Sequence, residues 1–211
     1  MTRVYDSAAR REQAAHTRAR IIETAVAVLL RDGLAAMTVT SLAREAGVSP
    51  QTIYNSIGGK AEVVKAAYDV TLAGDNDTTP MSERPAFRAI QDAPDLPTFA
   101  HAYAHWSAEI YRRVGPLLAV LISHGSAGDP LLEDFLTTID TERRRGTTNA
   151  LQGLAARGVV PADADLELLT DGVWALTAPD NWRRLVQVRG WSSERYEWWL
   201  AASMGAVLRD G

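Results

Sequence analysis

The sequence predicts an all-α protein with a small N-terminal helical domain followed by a larger helical bundle. Three observations support this prediction. Apolar residues recur at intervals of three and four over most of the 211 residues, as they do along one face of a helix. Glycines and prolines separate these stretches where helices are expected to begin and end. No alternation of apolar and polar residues is long enough to indicate a strand, and no internal repeat is found.

The composition is typical of a globular protein of the reducing cytosol. Hydrophobic residues make up 46% and charged residues 23% of the chain, so a folded core is expected. Cysteine is absent, which excludes disulfides and thiolate chemistry. The apolar runs 25–30 and 117–122 are too short to span a bilayer, and the polar N-terminus lacks a secretory signal. We therefore expect a cytoplasmic protein that does not enter the membrane.

Charge is distributed unevenly along the chain. The net charge is −4, but residues 1–72 carry +2 and the remaining residues carry −6. Residues 1–20 alone carry +3, with five arginines against two acidic residues. A basic end on an acidic body is expected where one end of a protein meets phosphate, although a solvated arginine-rich tail explains the charge equally well.

The first 72 residues are predicted to form four helices. The first runs from about Thr17 to Arg31, where apolar residues follow a helical stripe. The next three are short and are bounded by capping residues, glycines and a proline at a first helical position. The predicted boundaries after the first helix are, in order, Gly33, the N-cap Thr38, Gly47, Ser49–Pro50, Gly58–Gly59 and Lys60.

Residues 73–97 hold four prolines and a polar run, which predict a connector with a short helix around Phe87–Ile90. Beyond the connector the apolar periodicity returns and predicts the helices of the body. These are expected at roughly 97–113, 116–124, 129–157, 164–177, 180–189 and 192–209.

The segment 38–55 has the form of two short helices joined by a tight turn. If the face that carries Ile53 points inward, the 100° step per residue turns Gln51, Tyr54 and Asn55 outward. Amides can read base edges, and hydroxyls can bind phosphate. On spacing alone, an ordinary pair of short helices with polar outer residues explains the segment equally well.

The same segment resembles the DNA-binding domain of the tetracycline-repressor (TetR) family. The family pattern is T-x-x-x-(I/L)-A-x-x-A-G-V-S-x-x-T-(I/V)-Y, followed by a glycine or serine before a lysine. At the other end, residues 171–176 and 189–200 resemble the last two helices of actinobacterial-type members. The first similarity covers about residues 15–70, with matches at Thr38, Leu42, Ala43, Ala46, Gly47, Val48, Ser49, Thr52, Ile53, Tyr54 and Lys60.

The resemblance implies a homodimeric, nucleoid-associated transcriptional regulator, expected to be a repressor. Such a protein binds palindromic double-stranded operator DNA and is released by a small-molecule effector. It implies a basic arm at residues 1–15, a three-helix helix-turn-helix DNA-binding domain at 16–72, and an effector-binding and dimerisation domain at 73–211. The expected DNA-binding residues are Thr38, Thr40, Ser49, Gln51, Thr52, Tyr54, Asn55 and Lys60, the last as a phosphate clamp.

Residues 55–57 depart from the family pattern. Members usually follow the tyrosine with a bulky or basic residue and then an aromatic, whereas this chain has Asn55, Ser56 and Ile57. Ile57 can fill the core position of the aromatic with less volume, and Ser56 loses a possible phosphate donor. With the acidic total charge, this departure leaves an alternative open: a TetR-like ligand- or partner-binding protein that no longer reads DNA.

Three arginines, Arg3, Arg10 and Arg11, precede the first predicted helix. Similar arms of other proteins lie in the minor groove, so these residues are candidates for minor-groove contacts. A solvated, disordered tail remains an equal alternative.

Twelve of the fifteen aromatic residues follow residue 80. Core packing explains any single one of them best, because a helical bundle needs aromatic side chains. As a set, they predict an apolar or aromatic effector, with a histidine that can polarise it. The candidate pocket residues are Phe99, Tyr103, Trp106, His124, Phe135, Trp174 and Trp182.

The last helix carries a stripe of large apolar residues, and its small residues at 201–206 allow close helix contact. An intramolecular core is the default interpretation of such a stripe. The family resemblance favours an intermolecular four-helix interface instead. The expected interface residues are Trp174, Tyr196, Trp199, Leu200 and Val207.

No cofactor, metal site or catalytic site is predicted. His101, His105 and Glu109 share one helix face at a metal-like spacing, but without a further ligand they more simply line a pocket or face solvent. No nucleophile with a base, phosphate-binding glycine loop or carboxylate pair can be assembled, so an enzyme is not expected. The charged run 140–145 is interpreted as a solvated helix face.

Overall fold

The computed structural model describes the backbone of residues 2–74, 83–123, 128 and 130–210, with side chains from Ala9 to Arg209 within those ranges. These residues form helices and short connections without a strand, which confirms the all-α prediction. Across the same ranges, none of the helices has both the length and the apolar character needed to cross a membrane.

Four helices form the N-terminal region: α1 (Thr2–Ala36), α2 (Val39–Glu45), α3 (Pro50–Ser56) and α4 (Lys60–Ala73). The chain then continues through α5 (Pro85–Gln91), α6 (Leu96–Ser123), α7 (Pro130–Ala156), α8 (Leu166–Leu176), α9 (Pro179–Trp182), a π-helix (Arg183–Val188) and α10 (Ser193–Asp210).

The contacts between Cα atoms divide the chain into two compact units. The first unit comprises Met1–Asp75 and Val120–Glu133, and the second comprises Asn76–Ala119 and Asp134–Gly211. Helices α6 and α7 therefore each contribute residues to both units.

The core of the first unit forms around α1, which contacts α2, α3 and α4. Large apolar side chains from all four helices are buried there, as the helical spacing of the sequence predicts. This core fixes the short helices α2 and α3, which are too short to be stable alone. Its buried members include Ile21, Leu29, Leu34, Met37, Leu42, Ile53 and Val63.

Helix α1 is longer than predicted. It begins at Thr2 rather than near Thr17, and residues 9–20 are helical although nearly all of them are exposed. A helix that buries nothing leaves no hydrophobic periodicity in the sequence. The predicted stop is reproduced, since Gly33 has a left-handed φ of 80° and kinks the chain there.

Helix α6 joins two predicted helices into one. Pro116 lies inside it, where the missing N–H was expected to end a helix. The buried residues Val114, Leu117 and Leu118 flank the proline and hold both halves in one continuous element. Core packing therefore outweighs the local preference of proline in this position.

Close helix contacts in the second unit occur at glycines. A Cβ added at Gly172 of α8 would lie 2.6 Å from Cγ1 of Val207 in α10. A Cβ added at Gly115 of α6 would lie 2.6 Å from Cζ3 of Trp182, whose ring is buried. Only glycine permits approaches this close, so these two positions define how α8 meets α10 and how Trp182 meets α6.

The contact between Gly172 and Val207 leads to a stability prediction. Gly172→Ala should lower the free energy of unfolding by about 1 kcal/mol or more, because overpacking outweighs the better helix propensity of alanine. Chemical denaturation measures the change. Shortening the opposing side chain in Gly172→Ala/Val207→Ala should relieve the overlap.

The matched control is Gly146→Ala, a helical position in α7 where no heavy atom lies within 4 Å of an added Cβ. That change should stabilise the protein by about 0.5–1 kcal/mol. Equal stabilisation by both single substitutions would contradict the close contact.

Candidate nucleic-acid interface

A tight turn joins α2 to α3. Gly47 has a φ of 64°, which favours glycine. The Val48 N–H donates to the Ala43 carbonyl at 2.9 Å, and the Gly47 N–H donates to the Arg44 carbonyl at 3.4 Å. These two bonds form a Schellman motif, so the last carbonyls of α2 are satisfied while the chain reverses.

Side-chain caps begin both helices of the motif. The Thr38 hydroxyl accepts the Ser41 N–H at 3.0 Å, and the Ser41 hydroxyl accepts the Thr38 N–H at 2.9 Å. The Ser49 hydroxyl accepts the Thr52 N–H at 3.1 Å and lies 2.8 Å from the Thr52 hydroxyl. Three hydroxyls predicted to bind DNA thus already stabilise helix starts. Thr40 lies exposed on α2.

Helix α3 buries one side and exposes the other. Ile53 is fully buried, whereas Gln51, Tyr54 and Asn55 are exposed, with 54% of Tyr54 accessible. The Gln51 Nε2 donates to Asn55 Oδ1 at 2.9 Å, so the two amides form a pair one turn apart. Each amide keeps further donor or acceptor capacity for a partner outside the protein.

Two arginines of α1 hold the motif in place. The Arg18 Nη1 donates to the Ser56 carbonyl at 2.9 Å, which satisfies a carbonyl at the end of α3. The Arg31 guanidinium donates to both carboxylate oxygens of Glu45 at 2.9 Å and also binds Asp32. Hydrogen bonds from Arg31 lower the pKa of Glu45 and of Asp32.

Lys60 is tied to α1, which differs from the predicted phosphate clamp. Its Nζ donates to the Leu34 carbonyl at 2.8 Å in a partly buried position. The side chain of Glu62 turns back over Gly58 and Gly59, and a Cβ added at Gly59 would lie 3.2 Å from Glu62 Oε2. A carboxylate therefore lies beside the start of α4, where its charge disfavours a second anion. Lys60 therefore holds α4 against α1, and its contact with DNA stays a prediction.

The predicted minor-groove arm is helical in this structure. Arg10 and Arg11 are exposed on α1, and Arg3 lies in the same helix with its side chain outside the described residues. A helix is about 10–12 Å wide and the minor groove about 6 Å, so this arm does not fit the groove as a helix. Its arginines can instead approach phosphates from outside the groove.

Arg44 is an exposed cation that the sequence analysis did not select. It lies in the last turn of α2, two residues after Leu42 and three before the turn glycine. Its position on the outer side of the helix-turn-helix suits a phosphate contact. The sequence did contain a signal for Arg44. This arginine stands at a position of α2 that the predicted core of the helix does not use.

The predicted pocket aromatics of the second unit lie in separate pairs. Phe99 packs on Tyr103 with ring centroids 5.4 Å apart, and Trp106 packs on Phe87 at 5.6 Å. Trp182 packs on Tyr111 at 6.2 Å, Trp174 and Phe135 are half-buried, and His124 lies outside the described residues. An aromatic side chain is therefore not sufficient to predict that these residues line one pocket.

A polar cluster around Arg143 of α7 was missed by the sequence analysis. The charged run was expected to be solvated, but only 18% of the Arg143 side chain is exposed. Its guanidinium donates to the Trp174 carbonyl at 2.9 Å, to the Thr177 hydroxyl at 3.2 Å and to Asp140 at 2.7 Å. Arg143 thus satisfies a carbonyl near the end of α8, while the neighbouring Arg144 and Arg145 remain more exposed.

The charge of Arg143 acts on three buried tyrosine hydroxyls, those of Tyr103, Tyr111 and Tyr196. Burial raises the pKa of all three, to about 12 for Tyr111, and the charge of Arg143 opposes the rise in each case. The Tyr103 hydroxyl lies 2.8 Å from that of Thr147, and the Tyr111 hydroxyl donates to the Thr177 carbonyl. All three tyrosines therefore remain neutral at physiological pH.

Two of the predicted interface residues are core residues. Tyr196 and Leu200 are fully buried within one chain, which leaves them no surface for a second copy. Val207 packs on Gly172, and the ring of Trp199 packs on Tyr196 at 5.9 Å. Trp174, Trp199 and Val207 are half-buried, and their role in a dimer stays a prediction.

The outer face of α10 carries a different apolar residue, Trp198, which is 70% exposed. Ala202 follows it one turn later and is also exposed. On α8, the helix that contacts α10, Leu168 is 57% exposed and Ala175 is exposed. An exposed tryptophan with small neighbours is typical of a surface that meets another helix.

The histidines of α6 are engaged separately. His101 Nδ1 lies 2.9 Å from the Pro97 carbonyl, and His105 Nδ1 lies 3.1 Å from Glu197 Oε1. Glu109 accepts from Arg112 at 2.7 Å. In the part of the chain that the structure describes, no three histidine, aspartate or glutamate side chains are arranged to hold a metal ion.

Comparison of the sequence with known proteins finds similarity over the helix-turn-helix and beyond. Residues 21–67 match the sequence model of "Bacterial regulatory proteins, tetR family". The HTH-type transcriptional regulator YdeS of Bacillus subtilis (strain 168), itself described as uncharacterized, is 26% identical over 158 residues, which are 75% of this chain and 74% of that protein.

Comparison of the structure finds the same fold in solved structures of other proteins. NalD, the secondary repressor of the MexAB-OprM multidrug efflux pump in Pseudomonas aeruginosa, aligns with a TM-score of 0.70 at 14% identity, over 94% of this chain and 100% of NalD. SmeT, solved as a complex with triclosan, aligns with a TM-score of 0.68 at 19% identity, over 93% of each chain. At this level of identity, the likeness shows the fold.

The contact between Arg31 and Glu45 makes the stability of the first unit depend on pH. Carboxylates with a lowered pKa stabilise the fold above their ordinary pKa, and this contribution is lost as the pH falls through the lower folded value. Arg31→Gln should therefore lower the melting temperature at pH 7. The difference from the parent protein should shrink as the pH falls below about 4.5, the ordinary pKa of glutamate.

Arg20→Gln, which removes an exposed arginine from the same helix, serves as the control and should show a smaller difference at pH 7. Thermal unfolding followed by circular dichroism from pH 7 to about pH 3 measures both variants. A deficit of Arg31→Gln that stays constant down to the lowest pH would mean that the ion pair does not contribute.

Proposed function

Because residues 21–67 match the tetR family of bacterial regulatory proteins, we propose that the chain is a homodimeric transcriptional repressor of this family with a palindromic DNA operator. Helix α3 enters the major groove, and a small molecule bound by the second unit releases the DNA. The exposed face of α3 supports this proposal most directly, since Gln51, Tyr54 and Asn55 project from a helix that Ile53 and Arg18 anchor.

The amide pair of α3 suits the reading of base edges. Glutamine and asparagine side chains bind adenine through its N6 donor and N7 acceptor in the major groove. The hydrogen bond between Gln51 and Asn55 orients both amides before DNA arrives, which reduces the entropy lost on binding. The Tyr54 ring offers an apolar edge for a thymine methyl and a hydroxyl for phosphate.

Phosphate contacts come from the cations around this face. We assign Arg44 to the phosphate backbone, together with Arg10 and Arg11 of the helical arm. Thr40 adds a hydroxyl at the start of α2. Lys60 contributes through its hydrogen bond to the Leu34 carbonyl, which keeps α4 in place against α1.

The dimer forms through the outer faces of α8 and α10. Trp198 is the central contact, with Leu168, Ala175 and Ala202 around it. A two-fold axis at this surface repeats α3 once per protomer, and two successive major grooves lie about 34–36 Å apart. A symmetric dimer therefore favours an operator with two inverted half-sites.

Effector binding and DNA binding oppose each other in this proposal. Each favours a different arrangement of the two α3 helices, so the effector lowers DNA affinity by the same factor by which DNA lowers effector affinity. The complex of SmeT with triclosan and the repressor role of NalD support a small-molecule effector and repression. The aromatic residues of the second unit favour an apolar or aromatic effector.

Catalysis has no part in this function, since no catalytic set is recognisable in the sequence. The DNA target places the protein in the cytoplasm with the nucleoid.

Substitutions on α3 test the reading of DNA. Gln51→Ala and Asn55→Ala should each weaken binding to the promoter region beside the protein's own gene by about tenfold, as expected for lost base contacts. The double variant should lose less than the product of the two single effects, because the amides orient each other. Fluorescence anisotropy at fixed salt concentration measures the three affinities.

Gln152→Ala, at an exposed glutamine of α7, is the matched control and should leave DNA binding unchanged. A scrambled fragment of the same length should bind far more weakly than the promoter fragment. Equal affinity for both fragments would reject sequence-specific binding and favour a TetR-like protein that binds only a ligand or a partner.

Trp198→Glu tests the dimer surface. A buried charge at the centre of the interface should raise the dimer dissociation constant by about 30-fold or more, as expected for an interface hot spot. Sedimentation equilibrium measures the change, and circular dichroism checks that the fold is kept. Leu30→Glu, at an apolar residue of α1 that is 47% exposed, is the control and should remain dimeric.

A further inference from the structure

One buried hydroxyl in the second unit lacks a hydrogen bond. Tyr196 of α10 is fully buried, and its Oη has no donor or acceptor within hydrogen-bonding distance among the residues that the structure describes. The two neighbouring tyrosine hydroxyls do have partners, since Tyr103 meets Thr147 and Tyr111 donates to the Thr177 carbonyl. Buried polar atoms in native proteins almost always have a partner, so Tyr196 is the exception in its own cluster.

The surroundings of this hydroxyl show what it can bind. Burial raises the pKa of Tyr196, and the nearby Tyr111 raises it further, so the hydroxyl stays protonated and can donate. The charge of Arg143 acts on this hydroxyl, but the Arg143 Nη1 already donates to Asp140 Oδ1 at 2.7 Å. Because this charge is balanced, a second anion would be desolvated without an unpaired cation to receive it. A neutral oxygen is the acceptor that fits.

Aromatic rings accompany the polar groups of this cluster. Phe99 is fully buried against Tyr103, and the ring of Trp199 packs on Tyr196 itself. A few polar groups among aromatic rings are the usual composition of a small-molecule site, where the polar groups set orientation and specificity.

We infer that the Tyr196 hydroxyl is the polar end of the effector site. The effector is then a neutral, mainly apolar molecule that places one hydrogen-bond-accepting oxygen, such as a ketone oxygen, on Tyr196 Oη. This inference rests on the proposed function, because it assigns the ligand of a ligand-responsive regulator. The Tyr196 hydroxyl is one defined donor, whereas the predicted pocket aromatics were chosen by residue type alone.

Pairs of probes that differ only in a carbonyl oxygen test this inference. Acetophenone is compared with ethylbenzene, and benzophenone with diphenylmethane, by equilibrium dialysis against the full-length protein. The parent protein should bind the ketone of at least one pair about tenfold more tightly than the hydrocarbon, the factor expected of one hydrogen bond. In Tyr196→Phe this preference should fall to about one, while the affinity for the hydrocarbon stays the same.

Tyr68→Phe removes a hydroxyl from α4 in the first unit and is the matched control, which should keep the ketone preference. The melting temperature gives a second measurement. A hydroxyl without a partner does not stabilise the fold, so Tyr196→Phe should melt at the same temperature as the parent or higher. A clear fall in melting temperature would show that the hydroxyl has a structural partner and would overturn the inference.

Three further outcomes of the binding experiment would overturn the inference. Equal binding of ketone and hydrocarbon by the parent protein, as expected if Tyr196 holds only an ordered water, would overturn the inference. So would a ketone preference that survives in Tyr196→Phe, or no binding by any of the four probes. Binding to the promoter fragment is measured on the same samples without probes. Intact DNA binding with no ketone preference rejects this site alone, and a ketone preference without DNA binding rejects the regulator alone.

Discussion

The anchoring of α3 to the first unit is the constraint on which the rest of this structure depends. A helix of seven residues is not stable alone in water, because the entropy lost in fixing its first dihedral angles exceeds the stabilisation from its few hydrogen bonds. Burial of Ile53, the Ser49 cap and the bond from Arg18 to the Ser56 carbonyl together hold it. One side of α3 is then committed to the core, and the other side is left rigid and polar. A rigid polar face loses little entropy when it meets a partner, which makes DNA recognition by so small an element possible.

In the second unit, close packing and buried polarity occur side by side. Gly172 lets α8 and α10 approach closely, so Tyr196, Leu200 and other residues of α10 pack in the core, while Trp198 and Ala202 remain on its outer face. The same core contains Arg143 and three tyrosine hydroxyls rather than a purely apolar filling. Buried polar groups hold a defined arrangement only when they are satisfied, so a ligand that completes such a cluster can favour one arrangement over another. This gives the proposed effector a physical means to act.

The sequence predicted the elements whose signals are local, and it failed where tertiary contacts decide. The turn glycine Gly47, the cap Ser49 and the periodic core residues are local signals, and the structure contains them where they were predicted. The sequence could not reveal the contacts of Lys60 and Arg143, because their partners, Leu34 and Trp174, lie 26 and 31 residues away in the chain. The apolar stripe of α10 also could not reveal whether its large residues face the same chain or a second copy. The burial of Tyr196 and Leu200 in the packed core of the second unit is a tertiary feature that only the structure shows.

Selection of DNA from a random pool by the purified dimer measures whether the exposed face of α3 reads a base sequence. We expect enrichment of one inverted repeat whose half-sites are centred about one helical turn apart, and loss of this enrichment when Tyr54 is replaced by alanine. Failure to enrich any sequence under low-salt conditions that permit binding, or an identical enriched sequence with Tyr54→Ala, would contradict this expectation.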